Sequence, residues 1–186
     1  MFGAKLTHMV KTFAFLLLLA LAPFSESEMA QRIPLTKEKV EKYIETRVKT
    51  HDLQLEYQAK SDQYDDVIVA YYKERNEWLP SQGWTGEEFD ATGEWINGVI
   101  NSIEAQTELN REKAEREAEF AEIDANEFLN DEQKQQMKEA LMLSVVHREG
   151  YIGMFKEDWP AVKPYLTALD ELDDYIGGAR ATPRNF

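Results

Sequence analysis

Apolar residues recur along most of this chain at spacings of three and four, which is the pattern of an amphipathic helix. The first stripe consists of Val40, Ile44, Val48, His51 and Leu55. Thr36 precedes it and has the hydroxyl of a helix N-cap. The stripe resumes after Ser61-Asp62 and ends near Leu79-Pro80. The pattern does not decide whether residues 37–79 form one bent helix or two.

A second helix start is predicted in the stretch GWTGEEFDATGEW at residues 83–95. Thr85 can cap this helix with Glu88 at the reciprocal position of a capping box, and Trp84 is placed to contact Phe89. Glycine is too sparse here for a phosphate-binding loop. We therefore interpret the stretch as a helix N-terminus rather than a ligand site. The expected buried stripe of this helix is Phe89, Ile96, Val99, Ile100 and Ile103.

The composition changes over residues 104–126 to Glu, Ala, Arg and Lys, with almost no large apolar residue before Phe120. Opposite charges four residues apart, such as Arg111 and Glu115, support a helix. A charged helical run of this kind is typical of a solvated surface. We expect one long, charged helical extension.

The most apolar run of the remaining chain is LMLSVV at residues 141–146. Because it is apolar nearly all round, it predicts the central and most buried helix. Asn130 is the expected N-cap of this helix and Gly150 its expected end. Residues 151–160 are interpreted as a loop that folds back onto the core, since they contain many large apolar groups.

A last apolar stripe covers residues 165–176 and is closed by Gly177-Gly178. No stretch alternates with period two for long enough to predict a strand. The predicted fold is all-α, an antiparallel bundle of four to five helices with short connections. It forms a single helical domain over residues 28–178, and residues 179–186 are expected to be a disordered tail.

The N-terminus has the three-part layout of a secretory signal peptide. Lys5 and Lys11 supply a positive start, and the apolar run at residues 12–22 is too short to span a bilayer comfortably. Small residues follow this run. We expect cleavage near Ser27, so that residues 1–27 are the leader. An uncleaved N-terminal anchor is the alternative.

Composition limits the compartment and the partners. The chain has no cysteine and no Asn-x-Ser/Thr acceptor, so lipid attachment through cysteine and disulfides are excluded, and the bacterial periplasm or exterior is favoured. The formal net charge is −14. Such a surface repels phosphate backbones and anionic lipid headgroups. We expect neither a nucleic acid nor an anionic membrane surface as partner.

Candidate chemistry is sparse. His51 and His147 are the histidines beyond the leader, and His147 with Glu149 could supply metal ligands. The alternative function is therefore a metal-dependent or hydrolytic periplasmic enzyme that uses these three residues. The chain has no His-Glu-x-x-His and no Gly-x-Ser-x-Gly motif. We expect no catalytic residue, no metal and no cofactor, and a protein that is not an enzyme.

Aromatic residues are numerous for a chain this charged. Trp95 lies off the apolar stripe of its own helix, and exposed tryptophans favour interfaces. The expected contact surface consists of Trp84, Phe89, Trp95 and Tyr151. The predicted function is that of a non-catalytic binding, accessory or chaperone-like factor in the bacterial envelope, with a protein as its partner.

Three stretches together resemble a known class of protein. They are LTKEKVEKYI at the first helix, GWTGEEFDATGEW in the centre and DWPAVKPYLTALDEL near the end. Their arrangement is similar to that of exported all-helical bacterial proteins of unknown function, which implies a fold and a compartment but no activity. LNDEQKQQMKEAL also resembles the Leu-Thr-x-x-Gln helices of periplasmic stress chaperones, with Asn130 in place of the threonine.

Overall fold

In the computed structural model, which describes residues 34–179, all regular structure is helical and no strand occurs among these residues. The predicted all-α class is confirmed. The expected leader, residues 1–27, lies outside the described part of the chain, as does the expected tail apart from Ala179. The helices are α1 Lys37–Ala59, α2 Val67–Trp78, α3 Gly86–Arg111, α4 Lys113–Ala125, α5 Asp131–Phe155, α6 Trp159–Val162 and α7 Leu166–Ile176.

Side-chain caps determine where the main helices begin. Thr36 Oγ1 accepts a hydrogen bond from the Lys39 amide at 3.1 Å, and the Asn130 capping box with Gln133 is present in full. Both caps were predicted. The box predicted at Thr85 is only half formed, because Thr85 accepts from the Glu88 amide while the Glu88 carboxylate pairs with Lys39 at 2.9 Å.

Residues 37–79 form two helices rather than one bent helix. Helix α1 ends at Ala59, and α2 begins after Asp66, whose carboxylate accepts from the amides of Ile68 and Val69 at 3.0 Å. The two helices pack against each other. The Tyr71 hydroxyl of α2 donates to the Thr50 carbonyl of α1 at 3.3 Å.

The main core lies between α1, α3, α6 and α7. Its buried residues include Val40, Ile44, Val48, Ile96, Val99, Val162, Leu169 and Leu172. The first stripe is therefore confirmed except at its end, since Leu55 is exposed. A smaller cluster buries Leu79, Trp84 and Phe89, and the predicted Trp84–Phe89 contact is present with ring centroids 5.7 Å apart.

Asp158 connects the start of the described chain to α3. Its buried carboxylate accepts from the Leu35 amide at 3.1 Å and from Trp95 Nε1 at 3.0 Å. A buried charge of this kind is tolerated only when donors surround it. The loop predicted at residues 151–160 is helical as far as Phe155, and this continuation places Asp158 beside Trp95.

Among residues 34–179, no helix combines the length and the apolar character needed to cross a membrane. The charged extension predicted over residues 104–126 is helical, but it is interrupted at Glu112, where α3 gives way to α4. Both helices pack against α5. The extension is thus one side of a helical hairpin, and Leu109 and Ile123 are buried within it.

Candidate protein-contact face on α5

Helix α5 runs antiparallel to α3 and α4, which form the other side of the hairpin. The Tyr151 hydroxyl donates to the Gly98 carbonyl at 3.3 Å, and earlier on α5 the Lys138 ammonium pairs with Asp124 at 2.6 Å. The core-facing side of α5 buries Val145 and Ile152, which form a cluster with Leu109. Helices α3 and α4 cover only this side.

The opposite side of α5 is apolar and lies in solvent. The exposed fractions are 39% for Met142, 50% for Leu143, 55% for Val146 and 44% for Met154, against 5% for Val145. The prediction that residues 141–146 are the most buried part of the fold is therefore wrong. A helix that is apolar all round needs neighbours on every side, and the described chain supplies them on one side only.

The exposed apolar residues form a continuous seam. Leu143, Val146, Gly150 and Gly153 follow one another at spacings of three, four and three, the spacing of a coiled-coil contact line. Gly150, predicted to end the helix, lies within it because α5 continues to Phe155. We call this surface the α5 face and define it as Met142, Leu143, Val146, Gly150, Gly153 and Met154.

The two glycines of the α5 face have no packing role within residues 34–179. A Cβ atom added at Gly150 or at Gly153 would meet no other atom within 4 Å. By contrast, a Cβ at Gly98 of α3 would lie 2.5 Å from a ring carbon of Phe155. Gly98 therefore permits α3 and α5 to approach each other, whereas nothing in the described chain occupies the space above Gly150 and Gly153.

Charges are segregated around α5. The Arg148 guanidinium donates to both carboxylate oxygens of Glu112, at 3.2 and 2.8 Å, and this contact lowers the pKa of Glu112 below its ordinary value. Lys138 points to Asp124. The outward acids Glu139 and Glu149 form no ion pair within residues 34–179. Lys113 and Arg116, which share a groove with Glu149, pair with Glu117 and Glu112 on the hairpin side. Glu139 and Glu149 are thus the acids without an ion pair at the border of the α5 face, which we call its acidic border.

An open groove lies beside the α5 face, between α5 and the end of α3 together with α4. It has a volume of about 390 Å³, and Met142 and Glu149 line its α5 side. Leu109 and Phe120 contribute apolar surface on the facing side. The rest of the facing side is polar and includes Lys113, Arg116 and Glu117, so the exposed apolar surface of the α5 face ends near Met142.

The aromatic residues expected to form the contact surface are engaged within the chain. Trp84 and Phe89 are buried in the smaller core cluster, so in this fold they act as core residues. Trp95 is half-buried, donates to Asp158 and packs against Phe155 in a tilted arrangement with centroids 4.8 Å apart. Tyr151 is half-buried against Gly98. A contact role for Trp95 and Tyr151 stays a prediction.

The residues of the alternative enzyme hypothesis do not share one site. His51 is buried on α1 with its ring edge against Tyr175, 4.9 Å between centroids, whereas His147 and Glu149 are exposed on α5. Within residues 34–179, no three His, Asp or Glu side chains are arranged to hold a metal ion. His147 instead lies beside Val146 on the outward side of α5.

Comparison of the chain with protein-family models, with curated proteins and with solved structures gives no match. The resemblance to exported helical bacterial proteins stays a prediction. The candidate site therefore rests on the geometry of α5. Sequence reasoning placed residues 141–146 in a core and missed the face. No sequence signal identifies the face, since glycine occurs both at the packed Gly98 and at the open positions Gly150 and Gly153.

Replacing Gly150 or Gly153 by alanine is expected to stabilise the protein by about 0.5–1 kcal/mol each, because glycine is costly in a helix interior and alanine fits these sites without contact. Gly98→Ala is the matched control. It is expected to destabilise the protein, because the added methyl group would collide with the Phe155 ring. Urea unfolding followed by circular dichroism measures both effects. Loss of stability in Gly150→Ala would show that the site is already occupied.

The buried His51 predicts a pH dependence of stability. Burial, with a contribution from Arg47, lowers the pKa of His51 below its ordinary value of 6.5. As pH falls below 6.5, His51 binds a proton more readily in the unfolded chain than in the folded chain, so the free energy of unfolding decreases. The free energy of unfolding is expected to fall between pH 7.5 and 5.5, and His51→Gln to reduce that fall. Equal slopes in the His51→Gln variant and the unaltered protein would refute this account.

Proposed function

We propose that this protein is a non-catalytic binding protein, an accessory or chaperone-like factor of the bacterial envelope, and that it contacts another protein through the α5 face. The observation that carries the proposal is the exposure to solvent of four large apolar side chains on one side of α5, those of Met142, Leu143, Val146 and Met154. Contiguous exposed apolar surface is typical of interaction sites. Methionines at both edges suit such a site because their side chains adapt to irregular partners.

The location is part of the same proposal. A positive start, a short apolar run and small residues support export through a leader at residues 1–27, followed by an antiparallel helical domain. The absence of cysteine in the sequence agrees with a domain that relies on its core alone. In the envelope, an acidic helical protein of this size can act as a partner or holder of other exported chains.

The contact can be tested by crosslinking in the cell envelope. Leu143 is replaced by the photo-crosslinking amino acid p-benzoylphenylalanine in the full chain, and Glu45, an exposed residue of α1, is replaced in a matched control. Irradiation is expected to give discrete adducts from position 143, because the apolar face holds a partner within reach. Position 45 is expected to give few or none. Adducts are resolved by electrophoresis and identified by mass spectrometry.

Two results would contradict the proposal. The first is the absence of any adduct at position 143 under conditions in which the protein is folded by circular dichroism. The second is the same adduct pattern at positions 143 and 45, which would indicate random collision.

A further inference from the structure

We infer that the partner on the α5 face is an amphipathic helix that carries basic residues beside its apolar stripe. This inference rests on the proposed function and names the chemistry of the partner at that same site. It is carried by the shape of the face, by the two glycines and by the acidic border.

The shape of the face fits a helix. Its seam follows one side of α5 from Met142 to Met154, a length of about 18 Å at 1.5 Å per residue. Spacings of three and four place Leu143, Val146, Gly150 and Gly153 on a single line, and a second helix packs along such a line over about three turns. An extended peptide would find no free backbone groups to pair with, because those of α5 are used within the helix.

The glycines specify where the partner carries its large side chains. At the Leu143 end, the α5 face projects side chains outward, and at the Gly153 end it leaves open space. A partner helix can therefore place a leucine, phenylalanine or methionine directly over Gly150 and Gly153. The backbones then approach closely at this end, as small residues permit at helix contacts, and the large side chains of the two helices interlock.

The charges specify the flanks of the partner. Glu139 lies one turn before Leu143, and Glu149 lies next to Gly150; both are exposed. Arg148 and Lys138 are directed to Glu112 and Asp124 on the hairpin side. Lys156, near the far end of the face, lies over the Trp159 ring at 5.8 Å from its centroid. Lysine or arginine beside the apolar stripe of the partner complements the acidic border and the net charge of −14.

A second copy of the chain complements the face less well. An antiparallel pair centred on Arg148 would set Leu143 over Gly153 of the second copy and Val146 over Gly150, which satisfies the shape. The same register brings the two Glu149 carboxylates to one edge of the pair. Like charges at a contact oppose association, and both copies carry the same acid excess. A basic helix satisfies the shape and the charge together.

The test uses two labelled model peptides and the purified full chain. The first is the amphipathic helical peptide LKKLLKLLKKLLKL, and the second is its counterpart with glutamate in place of every lysine. Fluorescence anisotropy is expected to show binding of the Leu/Lys peptide and at least tenfold weaker binding of the Leu/Glu peptide. Equal or tighter binding of the Leu/Glu peptide would overturn the inference.

Variants separate the α5 face from general attraction to an acidic protein. Glu139→Gln with Glu149→Gln is expected to weaken binding of the Leu/Lys peptide about tenfold, since both border charges are lost. Glu45→Gln with Glu94→Gln removes the same charge from exposed positions elsewhere and is expected to change affinity less than twofold. Equal losses in the two double variants would overturn the inference.

Filling the open space tests the shape. Gly153→Leu is expected to weaken peptide binding at least tenfold, including at high salt, because the partner's side chain loses its place. Leu143→Ser, which leaves the glycines intact, is a second variant that removes a projecting side chain and is expected to weaken binding about as much. Unchanged affinity in both variants, with circular dichroism as the check on folding, would overturn the inference.

The outcomes distinguish this inference from the proposed function. Adducts to other proteins at position 143 without binding of the Leu/Lys peptide would reject the basic helix and leave the proposed function standing. Adducts of twice the chain mass, with a dimer in sedimentation equilibrium, would identify a second copy as the occupant and likewise reject only the inference. If position 143 gives no adducts and the Leu/Lys peptide does not bind, both the inference and the proposed function are rejected.

Discussion

The one-sided packing of α5 is the constraint on which the account depends. This helix is apolar on nearly every side, yet α3 and α4 cover only the side that contains Val145 and Ile152. Burial of apolar surface contributes about 25 cal/mol per Å² to the stability of a fold. The buried side of α5 therefore stabilises its packing against α3 and α4. The outward side keeps its apolar surface in water. That exposed apolar surface is available to a partner.

The rest of the fold holds α5 in this position. Asp158 binds the Leu35 amide and Trp95 Nε1, so the segment after α5 is fastened to both α1 and α3. Trp159 Nε1 donates to Ser102 Oγ at 2.8 Å, a second link between this segment and α3. The end of α5 is thus rigidly placed by buried polar contacts, while its outward face makes none. A face presented on a rigid element suits recognition, because little order has to be created on binding.

Local signals in the sequence predicted most of the helix starts. Thr36, Thr85 and Asn130 cap as expected, since a cap depends on residues within one turn of it. Tertiary neighbours were harder to foresee. The stripe through Val145 and Val146 cannot reveal how many helices will surround it, and glycine is no guide, since Gly98 is packed against Phe155 whereas a Cβ at Gly150 or Gly153 would meet no atom of the described chain within 4 Å. Nor does composition reveal that Asp158 accepts from Leu35, 123 residues away. The contact between Trp84 and Phe89 was predicted from their spacing, but its burial together with Leu79 was not.

The most direct measurement is hydroxyl-radical footprinting of the purified protein, read residue by residue by mass spectrometry. The account predicts rapid modification of Leu143 and Val146, with their neighbours Val145 and Ile152 protected by α3. Such alternation along one helix follows only if α5 is covered on a single side. Protection of Leu143 and Val146 equal to that of Val145, in the absence of any partner, would contradict the central claim.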